Sequence, residues 1–89
     1  MKRIRVIILG KVHGVSFRAS AKEKADSLGI SGWIKNNQDG TVEAIFEGEE
    51  KKIEEILSWC RKGPVHAKVK NVKVSEESYK GEFKDFKVK

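Results

Sequence analysis

Arg3-Ile4-Arg5-Val6-Ile7-Ile8-Leu9-Gly10-Lys11-Val12-His13-Gly14-Val15-Ser16-Phe17-Arg18 alternates between polar and apolar at its start and is continuously apolar from Val6 to Leu9. That pattern predicts a strand over Ile4–Leu9 with neighbours on both sides. From about Ala19 to Leu28 the positions Ala21, Ala25 and Leu28 recur at helical spacing, and Gly29 supplies a left-handed C-cap. Between strand and helix lies the glycine-flanked turn Gly10–Arg18. Its backbone amides can converge at the helix N-terminus, where free N–H groups and the positive end of the helix dipole favour a phosphate or carboxylate. Arg18 adds a permanent, forked cation at the end of the same turn. A glycine turn before a helix is common, and an early helical arginine is usually solvated. The loop therefore needs further partners to count as a site.

Outward from this unit, Ile30–Asn36 and Thr41–Gly48 read as a second and third strand, joined by the hairpin turn Asn37-Gln38-Asp39-Gly40. On the third strand Val42, Ala44 and Phe46 share one face, while Glu43 and Glu47 share the other, expected to be solvated. Glu49–Lys62 is a second helix, acidic at its start and basic at its end, with a buried stripe of Ile53, Ile56, Leu57 and Cys60. Gly63-Pro64 stops it. Val65–Val74 is a fourth strand, whose apolar phase shifts at Asn71 and predicts a bulge. Lys68, Lys70 and Lys73 mark that strand as a guarded sheet edge. Phe83–Val88 is a short last strand.

The order β-α-β-β-α-β with one added strand predicts an α+β, ferredoxin-like sandwich: an antiparallel five-stranded sheet with two helices on one face. Residues 1–89 are expected to form a single domain. In this topology the first two strands run the same way. The Gly10–Arg18 loop and Asn36 therefore emerge at one edge of the sheet. Asn36 can both donate to and accept from a water beside a bound phosphate, although a strand-ending asparagine is as often a plain turn residue.

Composition narrows the function classes. Net charge is +6, but 15 lysines are dispersed among 10 glutamates, which describes a charge-laced surface more than a nucleic-acid stripe. Abundant Lys and Glu also fit a heat-adapted protein. Cys60 is the only cysteine, so no internal disulfide forms. No signal peptide and no spanning segment is recognisable, and the expected compartment is the cytoplasm. Two distant histidines give no metal-binding spacing. Ser16 has His13 nearby but no acidic orienter. No paired acid and base emerges, so catalysis here would rest on positioning and charge stabilisation.

The chain resembles the acylphosphatases. Their first signature stands here as Gly10-Lys11-Val12-His13-Gly14-Val15-Ser16-Phe17-Arg18. The second stands as Gly32-Trp33-Ile34-Lys35-Asn36 with Gly40-Thr41-Val42-Glu43-Ala44, and a third as Gly63-Pro64-Val65-His66-Ala67-Lys68-Val69. The match runs from about Ile4 to Val88 and implies a small stand-alone member of the family. The resemblance implies metal-free, cofactor-free hydrolysis of acyl phosphates to a carboxylate and inorganic phosphate. Phosphate binding falls to His13, Gly14, Val15, Ser16, Phe17 and Arg18, through the loop amides and the Arg18 guanidinium. Asn36 orients the attacking water, and no protein base is required. Arg18 and Asn36 are thus the catalytic pair. The implied partners are a small acyl phosphate, with inorganic phosphate as product and inhibitor, and neither nucleic acid nor membrane. A monomer is expected. His13 stands where many members carry Gln.

Two other readings compete. RNA-recognition modules share the topology, but they stack bases on aromatics of the first and third strands, where this chain carries two glutamates. An acylphosphatase-like domain of a larger carbamoyl-transfer assembly is disfavoured by the end of the chain at Lys89.

Overall fold

A computed structural model describes residues Met1–Lys89 as β1 (Lys2–Lys11), α1 (Phe17–Leu28), β2 (Ser31–Asn36), β3 (Val42–Gly48), α2 (Glu50–Lys62), β4 (Lys68–Glu77) and β5 (Phe86–Val88). The sheet order is β4-β1-β3-β2-β5. This is the ferredoxin-like α+β arrangement, with one correction to the expected sheet. β5 pairs parallel with β2, matching Gly32 to Phe86 and Ile34 to Val88, so the sheet is mixed. The reason lies in the connection after β4. Tyr79 to Asp85 crosses the sheet's helix-free face near the N-terminal end of β1 before β5 turns upward. Phe83, expected in the last strand, instead stacks on the Arg3 guanidinium at 5.3 Å.

The core lies between sheet and helices. Ile4, Val6 and Ile8 of β1, Val42, Ala44 and Phe46 of β3, and Ile34 of β2 meet Ala21 and Ala25 of α1 and Ile53, Ile56 and Cys60 of α2. Strand alternation and helical spacing therefore deliver one continuous apolar cluster. Phe17 and Trp59 join the two helices edge to face, with centroids 5.3 Å apart. Leu57 is only partly buried at the rim of this cluster. Burial pushes the Cys60 thiol up to about 12, which keeps it in the unreactive, protonated form.

Strand ends differ from expectation by identifiable local causes. β4 starts at Lys68 because Pro64–Ala67 closes a turn, with the Ala67 amide donating to the Pro64 carbonyl at 3.0 Å. The expected bulge occurs: Leu9 faces Asn71 but Gly10 faces Val69, so Lys70 is the extra residue. β4 is an outer strand, where its lysines guard the free edge.

Glu47 departs from its expected solvated place. It is 2% exposed, held by the Arg3 Nη1 donor at 3.2 Å and the Lys80 amide at 3.0 Å. Arg3 also reaches Glu77 and Glu82, and Arg5 reaches Glu77 and Glu43. The crossing segment covers this end of the face, turning a nominally wet glutamate into a buried one. Hydrogen bonds from Arg5 and then Arg3 hold the Glu77 carboxyl below its ordinary range.

Candidate active site

Because β1, β2 and β5 run in one direction, their C-terminal ends come out at the same edge as the N-terminus of α1. A cleft of about 390 Å³ opens there, lined by Gly14, Ser16, Phe17, Arg18, Asn36 and Val88 among others. The structure thus brings together the loop, the arginine and the asparagine named from sequence. Carboxyl ends of parallel strands facing a helix N-terminus are where open α/β sheets commonly hold ligands.

The loop conformation follows from two residues in the left-handed region. Gly14 has φ 68° without steric cost, whereas Ser16 adopts φ 62° and ψ 26° as the residue capping α1. A non-glycine residue held there is strained, at a cost on the order of 1–3 kcal/mol, and such strain collects at ligand-binding turns. The Ser16 side chain makes no capping hydrogen bond. The first backbone bond of the helix runs from the Ser20 amide to the Ser16 carbonyl at 3.0 Å. The amides from Gly14 to Ala19 donate to no group of the chain. Unengaged N–H donors at the positive end of a helix suit a tetrahedral oxyanion.

Arg18 projects from the first turn of α1. Its Nη1 donates to the main-chain oxygen of Lys89 at 2.8 Å, and it pairs with no Asp or Glu side chain. Lys89 is in turn fixed by its amide, which donates to the Ile34 carbonyl at 2.8 Å, and its ammonium lies 4.5 Å from the centre of the Trp33 ring. The guanidinium is therefore oriented by the main chain of Lys89, and its remaining donors are unengaged. No sequence motif announces Lys89. Only the parallel course of β5 brings its main-chain oxygen to Arg18.

Asn36 ends β2 opposite Val42. Its Oδ1 is buried and accepts from no group of the chain. An acceptor so placed costs on the order of 1–3 kcal/mol unless a donor from outside meets it. Asn37, by contrast, is fully engaged in the hairpin: its amide donates to the Thr41 carbonyl at 2.8 Å and its Nδ2 to Thr41 Oγ1 at 3.0 Å. Thr41 also donates its amide and hydroxyl to Asp39, and these bonds hold the Asp39 carboxyl below its ordinary range. The two adjacent asparagines thus divide cleanly between cleft and turn.

Two side chains of the expected phosphate loop do not line the cleft. Val15 packs against the core. His13 lies 2.8 Å by its Nε2 from the Thr41 carbonyl, so Nε2 carries the proton and donates. That bond ties the loop to the hairpin that ends beside Asn36. A glutamine amide can make the same bond, so His13→Gln is expected to keep activity within about threefold, whereas His13→Ala loses one hydrogen bond and falls roughly five- to tenfold. Steady-state kinetics on the two variants check this. Loss of turnover in His13→Gln would instead assign the ring a proton-transfer role.

The sequence model of the family described as acylphosphatase matches residues 4–88 of this chain. An acylphosphatase of Pyrobaculum aerophilum is 51% identical over 89 residues, covering 99% of this chain and 94% of that protein. One of Rubrobacter xylanophilus is 49% identical over 88 residues, covering 99% of this chain and 80% of the other. The crystal structure of acylphosphatase from Bacillus subtilis superposes with a TM-score of 0.95 at 32% identity, covering 99% of this chain and 98% of that one. Identity of this extent, over a fold shared almost end to end, admits one conclusion: the chain belongs to the acylphosphatase family.

Proposed function

We propose that this protein hydrolyses acyl phosphates, with Arg18 and Asn36 as its catalytic residues and the His13–Arg18 amides as its phosphate cradle. The observation that carries the reading is one cleft lined by loop residues with unengaged amides, by Arg18, which pairs with no Asp or Glu side chain, and by Asn36, whose Oδ1 is buried and unpartnered. In this mechanism the phosphoryl oxygens sit in the amide nest. Arg18 binds two of them through its planar fork and stabilises the charge they carry in the transition state. Asn36 Oδ1 accepts a hydrogen bond from a water and aims its oxygen at phosphorus, in line with the acyl oxygen. The water oxygen bonds to phosphorus, the phosphorus–acyl oxygen bond breaks, and the acyl group leaves as a carboxylate. A phosphoryl oxygen takes the water's proton, giving dihydrogen phosphate. No side chain is positioned as a general base, and none is needed. Positioning and preorganised charge carry the rate.

The reading extends to a single-domain monomer, in which the lysines of β4 keep that free sheet edge from pairing. No helix is long and apolar enough to cross a membrane. A reducing compartment such as the cytoplasm suits the one unpaired thiol, Cys60. RNA binding is disfavoured by the helix-free sheet face, where Arg3 and Arg5 are already paired with glutamates.

The deciding experiment is phosphate release from benzoyl phosphate with EDTA present. Hydrolysis is expected; its absence would remove the reading. Inorganic phosphate and sulfate are expected to compete with substrate. They should also raise Tm at millimolar concentration, because the unfolded chain has no such cradle. Equal shifts from phosphate and from chloride at matched ionic strength would exclude a preformed anion site.

A further inference from the structure

The cleft is longer than a phosphoryl group requires, and its charge changes sign along its length. Arg18 and the amide nest make one end positive. From there it follows one face of α1, where Lys22, Glu23 and Asp26 line it opposite Val88. Lys22 is spent within the protein: its Nζ donates to the Phe86 carbonyl at 2.9 Å and to Asp26 Oδ2 at 3.1 Å. Its charge is largely offset by Asp26. Glu23, which is exposed, takes part in no ion pair or hydrogen bond. The far end of the cleft therefore carries one uncompensated carboxylate, roughly 7.5 Å along the helix from Arg18 at a rise of 1.5 Å per residue.

We infer that the α1 side of this cleft is the acyl subsite, and that Glu23 makes it favour acyl phosphates bearing a cationic group over those bearing an anionic one. The inference rests on the proposed phosphate end, because only a phosphoryl group seated at Arg18 directs its acyl chain past Glu23. The recognised ligand is dipolar, with the phosphoryl on the nest and an ammonium one to two helical turns away beside Glu23. Specificity arises as much from exclusion as from attraction, since a second carboxylate would meet Glu23 across a short distance. The Lys22 ammonium does not reverse this preference, because two of its three donors are committed and Asp26 largely offsets its charge.

The test uses three para-substituted benzoyl phosphates carrying ammoniomethyl, hydroxymethyl or carboxymethyl groups, each assayed with wild type, Glu23→Gln and Glu23→Lys. Comparing one substrate pair across enzymes cancels the intrinsic reactivity of each substrate. The ammonium-to-carboxylate ratio of kcat/KM is expected to fall about fivefold in Glu23→Gln, the size of an exposed ion pair gained and a repulsion removed. It should fall further in Glu23→Lys, and the effect should shrink at high salt. A ratio unmoved by both substitutions overturns the inference. The failure of the underlying reading looks different: wild type would then hydrolyse none of the three, or Arg18→Ala would leave all three rates intact.

Discussion

Arg18→Ala is expected to lower kcat/KM for any acyl phosphate by roughly 10²–10³-fold, the loss found when one preorganised donor to a developing charge is removed. The argument begins with its geometry. Arg18 sits in the first turn of α1, directly beside the amides that face the cleft, and its Nη1 is steadied by the main-chain oxygen of Lys89 at 2.8 Å. The remaining donors stay free for the ligand. No Asp or Glu side chain pairs with them. Removing the side chain should therefore weaken phosphate inhibition as well as turnover, since the charge acts on ground and transition states alike. Arg18→Lys should rescue poorly, because a point charge can neither span two phosphoryl oxygens nor keep the bond to Lys89 in the same pose. Phosphate-release kinetics and the inhibition constant of inorganic phosphate measure both effects. A variant that keeps more than about a tenth of wild-type activity would contradict the role. The side chain is partly exposed and outside the core, so a fold-stability explanation can be checked by Tm.

The parts of the molecule that were legible in the sequence are those governed by local chemistry. Ile4, Val6 and Ile8, Ala21 with Ala25, and Val42, Ala44 and Phe46 all face the core, because their spacing leaves one apolar side that has to be covered. Gly29 caps α1 in the left-handed region, and Gly40 closes the hairpin, for reasons of backbone geometry alone. The edge lysines and the bulge beside Asn71 were likewise readable from residue type and phase. The departures lie where a distant segment decides. Glu47 reads as a solvated sheet residue until Lys80 and Arg3 enclose it. Phe83 reads as a strand residue until Arg3 offers its guanidinium. β5 joins in parallel because the chain first crosses the sheet, and no short window of sequence contains that route. The cleft shows the same division. Its loop and Asn36 follow from motif and topology, whereas Val88, Lys22 and Glu23 line it, and Lys89 meets Arg18, only through the three-dimensional course of β5 and α1.

Asn36→Ala is expected to lower kcat by about 10²-fold while leaving KM and phosphate inhibition nearly unchanged, because misplacing a reacting group by about 1 Å costs that much. The Oδ1 atom is buried at the cleft and unpartnered, so it serves neither the sheet ladder nor the turn. An interaction with the attacking water is realised mainly on the way to the transition state, and its loss therefore appears in kcat. Asn36→Asp should fail as well, because a carboxylate beside the phosphoryl group repels it. Asn37→Ala provides the internal contrast. It loses the 3.0 Å bond to Thr41 Oγ1, which belongs to the hairpin, so a modest fall in Tm with near-normal turnover is expected. The two asparagines are adjacent, equal in size and chemistry, and separated only by the alternation of a strand. If Asn37→Ala abolished turnover and Asn36→Ala spared it, the water site would have to lie on the hairpin side of the strand, outside the cleft that holds Arg18.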